Sequence, residues 1–174
     1  MILYFILISC LLAKPTDITE IINRVGSLNQ KPEADMSMIE MVAYHGYPCE
    51  HMYVRTPDGH LLDLYRITGP RGEKLQDKKA DRRPVLMLHG ILQSSFRWVL
   101  NGPNGESKAP AYQLADSGDY DVWLLNVRGN AFSREHSFLD ADSAPKFWDF
   151  SFEEFGEIDV PAAISYILDL TAFE

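Results

Sequence analysis

The residues with the clearest chemical potential are His89-Gly90-Ile91, which interrupt the apolar run Pro84-Val85-Leu86-Met87-Leu88. The run reads as a buried strand, and a glycine turn that stops it leaves backbone N–H groups open at the strand's C-terminal end. Gly90 carries no side chain, so the backbone can approach a substrate closely there. Ester hydrolysis by a serine enzyme needs a nucleophile, a base, an acid that orients the base, and donors for the developing oxyanion. The turn offers the last of these parts. The N–H of Ile91 is the candidate donor, with His89 and Gly90 supporting the turn around it. One lost oxyanion donor typically costs about 3 kcal/mol of barrier, so a single backbone amide is a large contribution.

The other parts are harder to find. A Gly-x-Ser-x-Gly elbow, whose serine is strained between a strand and a helix, does not occur before Glu174. Gly105-Glu106-Ser107-Lys108-Ala109 approximates it, but Asn101-Gly102-Pro103-Asn104 precedes that stretch and does not suit a core strand. Ser107 is therefore not assigned as a nucleophile, and Ser94 and Ser95 are expected to cap the helix after the turn. His45, His51 and His60 fall around strand ends and a hairpin tip, where surface placement is expected. His89 is expected to hydrogen-bond locally and His136, in a long loop, to be structural. Asp58, Asp116 and Asp121 lie in turns or at strand ends and Asp159 reads as a helix cap, so no catalytic acid is assigned. No pair of histidines shows metal-ligand spacing. With only Cys10 and Cys49 present, no disulfide framework is expected.

Local patterns predict the elements that would position the turn. Met38, Met41 and Val42 recur at helical spacing, and Gly46 ends that pattern. A short helix is also expected over 17–25, capped by Asp17. Glu50–Thr56 and Leu61–Ile67 read as a hairpin turning at Pro57-Asp58-Gly59. The charged stretch 69–83 is expected to be a solvated loop, including the run Asp77–Arg83 of alternating sign. Ala109–Ser117 reads as a helix stopped by Gly118, and Tyr120–Leu125 as a second continuous apolar strand. Such strands, separated by helices, point to an α/β fold with parallel strands covered on both faces. Arg128-Gly129-Asn130 opens a long loop. A final helix is expected from Asp159, with Pro161 in its first turn and a stripe of Val160, Ile164, Ile167 and Leu168.

At 174 residues and 46% hydrophobic, the chain has room for one packed domain. A formal charge of −9 argues against a nucleic-acid partner. The apolar block over residues 2–13 is below the roughly 20 residues needed to cross a bilayer and suits a signal-peptide core. Residues 1–13 are therefore read as a signal peptide, 14–40 as an N-terminal extension, and 41–174 as the folded domain. No transmembrane segment is expected after signal removal.

Ordered matches along that domain resemble the acid lipase family, which includes gastric and lysosomal acid lipases. They are Tyr47-Pro48-Cys49-Glu50, Thr56-Pro57-Asp58-Gly59-His60, His89-Gly90-Ile91-Leu92, Ser94-Ser95, Trp98-Val99 and Leu114-Ala115-Asp116. Tyr120-Asp121-Val122-Trp123, Asn126, Arg128-Gly129-Asn130, Ser133-Arg134, Phe147-Trp148, Phe150–Glu154 and Asp159-Val160-Pro161-Ala162 complete them. The resemblance implies the N-terminal half of an α/β-hydrolase sheet, an antiparallel hairpin followed by strand–helix units. It also implies a secreted or lysosomal enzyme that hydrolyses triacylglycerols or sterol esters at a lipid–water interface by a Ser–Asp–His mechanism, without a cofactor. Ile91 matches the family position whose N–H serves the oxyanion hole. The family's Gly-His-Ser-Gln-Gly elbow follows shortly after the helix in which this chain ends. The domain is thus read as truncated before its nucleophile and inactive alone. Alternatives are a non-catalytic secreted half-hydrolase that binds lipid or a partner, and an esterase fragment acting on soluble esters.

Overall fold

Ser37 starts the first helix by a reciprocal exchange with Glu40. The Ser37 hydroxyl accepts from the Glu40 N–H, and the Glu40 carboxylate accepts from the Ser37 N–H at 2.8 Å. The computed structural model describes residues 32–77, 79, 81–104 and 108–173. The chain divides into two compact units, Met1–Met36 and Ser37–Glu174. Within the first, the described part includes a 3-10 turn, Pro32–Asp35. The expected signal segment, the helix over 17–25 and Ser107 lie outside the described residues.

In the second unit, helix α1 (Met38–Tyr44) buries Met38, Met41 and Val42, as their spacing predicts. Strands β1 (Cys49–Arg55) and β2 (His60–Ile67) then pair antiparallel, with Val54 opposite Leu62 and Met52 opposite Leu64. Gly59 at the tip has φ +105°, and a Cβ there would meet His136 at 2.8 Å, so only glycine fits. Strand β3 (Arg83–Leu88), helix α2 (Pro110–Ser117) and strand β4 (Tyr120–Leu125) form the crossover unit expected of parallel strands. A two-residue strand β5 (Glu135–His136) adds to β2. The sheet runs β1-β2-β4-β3, mixed rather than wholly parallel, because β2 pairs antiparallel with both β1 and β4.

One sheet face buries Val54, Leu62, Leu64, Trp123 and Leu125 under Ala163 and Ile167 of helix α4 (Val160–Thr171). Val122 and Leu124, of opposite parity on β4, are equally buried, and α2 packs against β4. Burying both parities explains the continuous apolar reading of that strand.

Four expectations need correction. Strand β3 is only half-buried, because its one partner among the described residues is β4. The charged loop is not uniformly solvated: Arg82 is buried, with its guanidinium on the Glu73 carboxylate (2.5 and 2.6 Å) and its Nε on the Gly118 carbonyl (3.0 Å). The last helical run begins earlier than Asp159. Ser151 and Glu154 form a second reciprocal cap for α3 (Phe152–Glu154), a π-helical turn Phe155–Asp159 follows, and α4 continues it. Asp159 already has helical dihedrals and caps nothing with its side chain. Finally, the stripe on α4 is rotated from the expected one. Ala163 and Ile167 are buried, whereas Ile164 and Leu168 are largely exposed.

Candidate functional site

The β3 strand ends in a tight turn over residues 90–93. The Gln93 N–H donates to the Gly90 carbonyl at 3.1 Å, and Leu92 takes φ +60°. An i-to-i+3 bond with positive φ at the third residue is the type II pattern, which glycine normally fills at that position. The Ile91 side chain is 69% exposed, and its N–H finds no acceptor among the described residues. His89 braces the turn from behind. Its Nδ1 lies 2.8 Å from the Gly90 carbonyl, and its Nε2 accepts from the Val127 N–H and the Asn130 side chain, each at 3.3 Å. These partners fix the tautomer, with the ring proton on Nδ1.

The loop after β4 builds the facing wall. Arg128 is fully buried, its Nε on Asp159 Oδ1 at 2.8 Å and its terminal nitrogens on Asp58 at 2.6 and 3.0 Å. The Arg128 N–H also donates to Asp159, at 2.9 Å. This clamp ties the hairpin tip, the loop and the π-turn into one body. Burial pushes the Asp159 carboxyl up, against the pull of Arg128. Asp58 is taken down to about 2, because its bonds to Arg128 and Thr56 outweigh its partial burial. Next to Arg128, Gly129 has φ +72°, and a Cβ there would lie 2.5 Å from the Phe150 ring. Loop and aromatic side chain therefore touch directly.

Between the walls lies a cavity of about 550 Å³, within the range of small-molecule sites. Leu88, Ile91 and Leu92 line it from the turn, Val127 and Gly129 from the loop. Trp148 and Phe150 close it from the segment before the last helical run, and Phe152, Phe155, Gly156 and Val160 from that run itself. The lining is overwhelmingly apolar, and Ile91 is part of it. Such a site can hold a hydrocarbon chain and present one N–H to a polar atom on it.

Residues 38–102 match the family model described as a partial alpha/beta-hydrolase lipase region. Gastric triacylglycerol lipase of Rattus norvegicus is 42% identical over 143 residues, covering 82% of this chain and 34% of the relative. Lipase member M of Homo sapiens is 44% identical over 144 residues, covering 82% of this chain and 32% of the relative. Lipase 1 of Drosophila melanogaster is 40% identical over 151 residues, covering 87% and 31%. Over most of its length this chain is similar to the gastric and related lipases, at 40–44% identity. It spans about a third of the length of the curated relatives it matches.

Of the site residues expected from sequence, the fold brings His89, Gly90 and Ile91 together at the cavity. His136 is structural, bonding the Asp58 carbonyl at 3.1 Å and the Phe138 and Leu139 amides. His60 and His45 are buried, not on the surface. His60 packs on the Phe147 ring, and burial among cationic and histidine neighbours lowers it to about 4. His51 pairs with Asp63 at 2.7 Å. Ser94 begins a 3-10 turn, Ser95–Trp98, without a side-chain cap, and the Ser95 N–H donates to Asn126. Asp116 and Asp121 serve structural pairs with Tyr47 and Arg66. Among the described residues, no group of three or more His, Cys, Asp or Glu could hold a metal ion, and no helix is long and apolar enough to cross a membrane. Sequence reasoning missed Gln93, Asn130 and the aromatic wall. The Phe147–Phe155 stretch, dense in rings and capped by Ser151-x-x-Glu154, was the available signal.

Proposed function

We propose that this chain supplies the oxyanion turn and the apolar wall of a serine ester hydrolase acting on triacylglycerols or sterol esters in lipid breakdown. The observation that carries the reading is the unengaged N–H of Ile91, a residue that lines an apolar cavity of about 550 Å³. In the reaction, a serine hydroxyl attacks the ester carbonyl and its proton passes to a base. Negative charge gathers on the carbonyl oxygen, where the Ile91 amide donates to it. The alcohol then leaves with that proton, and water releases the acyl group.

The aromatic wall from Trp148 to Phe155 suits the hydrocarbon part of such a substrate. His89, holding the Gly90 carbonyl, keeps the turn in place. No described serine stands in a strand–turn–helix elbow, so the nucleophile, acid and base are proposed to lie outside these 174 residues. The 174-residue chain alone is then inactive. Residues 1–13 are proposed to direct secretion or lysosomal delivery, with 14–40 an extension and 41–174 the partial lipase domain.

The test uses the complete gene product and the 174-residue chain side by side, on emulsified triacylglycerol and on p-nitrophenyl butyrate. The complete product should turn over both and the 174-residue chain neither. Ile91→Pro deletes the donor while suiting the second position of a type II turn. In the complete product it should lower kcat on the order of 100- to 1000-fold. Saturable turnover by the 174-residue chain, silenced by a serine-directed phosphonate, would refute the assignment. Binding of lipid without hydrolysis by the complete product would favour the non-catalytic half-hydrolase.

A further inference from the structure

We propose that Gln93 is the positioning residue of the oxyanion turn, holding the backbone in the state that aims the Ile91 N–H into the cavity. The inference rests on the ester-hydrolase reading and assigns a role to a residue which that reading leaves unused.

The starting point is a conformation with no local support. Leu92 holds φ +60° while its side chain is wholly exposed, so packing does nothing to offset the left-handed backbone. Among the described residues, the one other non-glycine with positive φ is Ala172, at a helix C-terminus where that state is ordinary. A strained residue persists only where its surroundings over-determine it. Here the surroundings converge on Gln93.

Four hydrogen bonds meet on that residue. Its N–H closes the turn on the Gly90 carbonyl at 3.1 Å. Its side-chain Oε1 accepts from the Gly90 N–H at 3.2 Å and from the Arg97 guanidinium. Its own carbonyl accepts from the Asn130 side chain at 2.6 Å, which joins the turn to the opposite wall. Arg97 can only donate, so it fixes which end of the Gln93 amide faces Gly90.

The consequence for Ile91 is geometric. The peptide between Gly90 and Ile91 is planar and trans, so its carbonyl and its N–H point in opposite directions. The Gly90 carbonyl is pinned by the Gln93 N–H and by His89 Nδ1. The Ile91 N–H must therefore point the other way. Gly90 is the residue least able to hold its own dihedrals, and the Gln93 side chain restrains it by accepting its N–H. Without that acceptor Gly90 loses the restraint on its N–H side, and the Ile91 donor is aimed only by the two bonds on the Gly90 carbonyl.

Two substitutions separate positioning from bulk. Gln93→Met keeps the length and removes the acceptor. Gln93→Glu keeps the acceptor and turns the Arg97 contact into an ion pair. In the complete gene product with p-nitrophenyl butyrate, Gln93→Met should lower kcat on the order of 10- to 100-fold with KM little changed. Gln93→Glu should return kcat to within about threefold of the parent, with circular-dichroism melting curves of both variants matching it. Arg97→Met, which frees the amide to rotate and takes the guanidinium off the Trp98 ring, should lower kcat about threefold. An unchanged kcat in Gln93→Met, or an equal loss in Gln93→Glu, overturns the proposal and leaves the ester-hydrolase reading standing. A parent protein inert toward every ester overturns that reading and this proposal together.

Discussion

Removing Arg128 should do far more damage than removing Asp58, the more exposed of its two partners. Its guanidinium is shared between two carboxylates of unequal burial. The Asp159 side chain is 0% exposed and the Asp58 side chain 38%. Arg128→Met strands Asp159 as a buried charge, for which the expected cost is about 3–5 kcal/mol. Asp58 can instead turn to water. The fall of its carboxyl to about 2 corresponds by linkage to roughly 2.5 kcal/mol, which solvent screening at its exposed site reduces to about 1. Urea unfolding followed by the fluorescence of fully buried Trp123 gives the comparison. At about 2 kcal/mol/M, Arg128→Met should lower the midpoint by roughly 2 M and Asp58→Asn by roughly 0.5 M. The double variant Arg128→Met/Asp159→Leu removes both charges and should recover most of the loss. Equal shifts for the two single variants, or a double variant no better than Arg128→Met, would refute the reasoning.

His60 should make the fold acid-sensitive. Its folded value of about 4 lies below the ordinary histidine value, so the unfolded chain binds its proton first. Its contribution is complete above pH 6.5 and is lost as pH falls toward 4, by roughly 2–3 kcal/mol. Urea midpoints at pH 7, 5.5 and 4 should fall accordingly, and His60→Phe should flatten that part of the slope. Gly129→Ala should cost about 2 kcal/mol, because the new methyl meets the Phe150 ring under a left-handed backbone. A Tm drop of roughly 6 °C by calorimetry is expected, and an unchanged Tm would show that the aromatic wall yields freely.

What could be read from the sequence was what neighbours along the chain decide. The Pro57-Asp58-Gly59 tip, the helix stop at Gly118 and the apolar parity of β4 all act over a few residues, and each stands where its pattern places it. The His89-Gly90-Ile91 turn was legible for the same reason. Asp159 was misread because its spacing before Pro161 suits a cap, while its true partner, Arg128, is 31 residues away. Arg82 and His60 were misplaced likewise, since charge and polarity predict exposure until a distant Glu73 or Phe147 supplies a partner. Gln93 carried no signal at all. An exposed glutamine is ordinary, and its importance lies in acceptors and donors that meet only once two loops face each other.

The π-turn at Phe155–Asp159 makes helix orientation a matter of counting. It holds one residue more than an α-helical turn of the same span, and each residue turns a helix by about 100°. Deleting a single residue from this stretch would let the run relax into regular helix. Ala163 and Ile167 would rotate off the sheet, and the carboxylate at the end of the bulge would leave its arginine. Phe155 and Gly156 of the same stretch line the cavity, so the wall facing a substrate and the seating of the last helix are set by one local surplus.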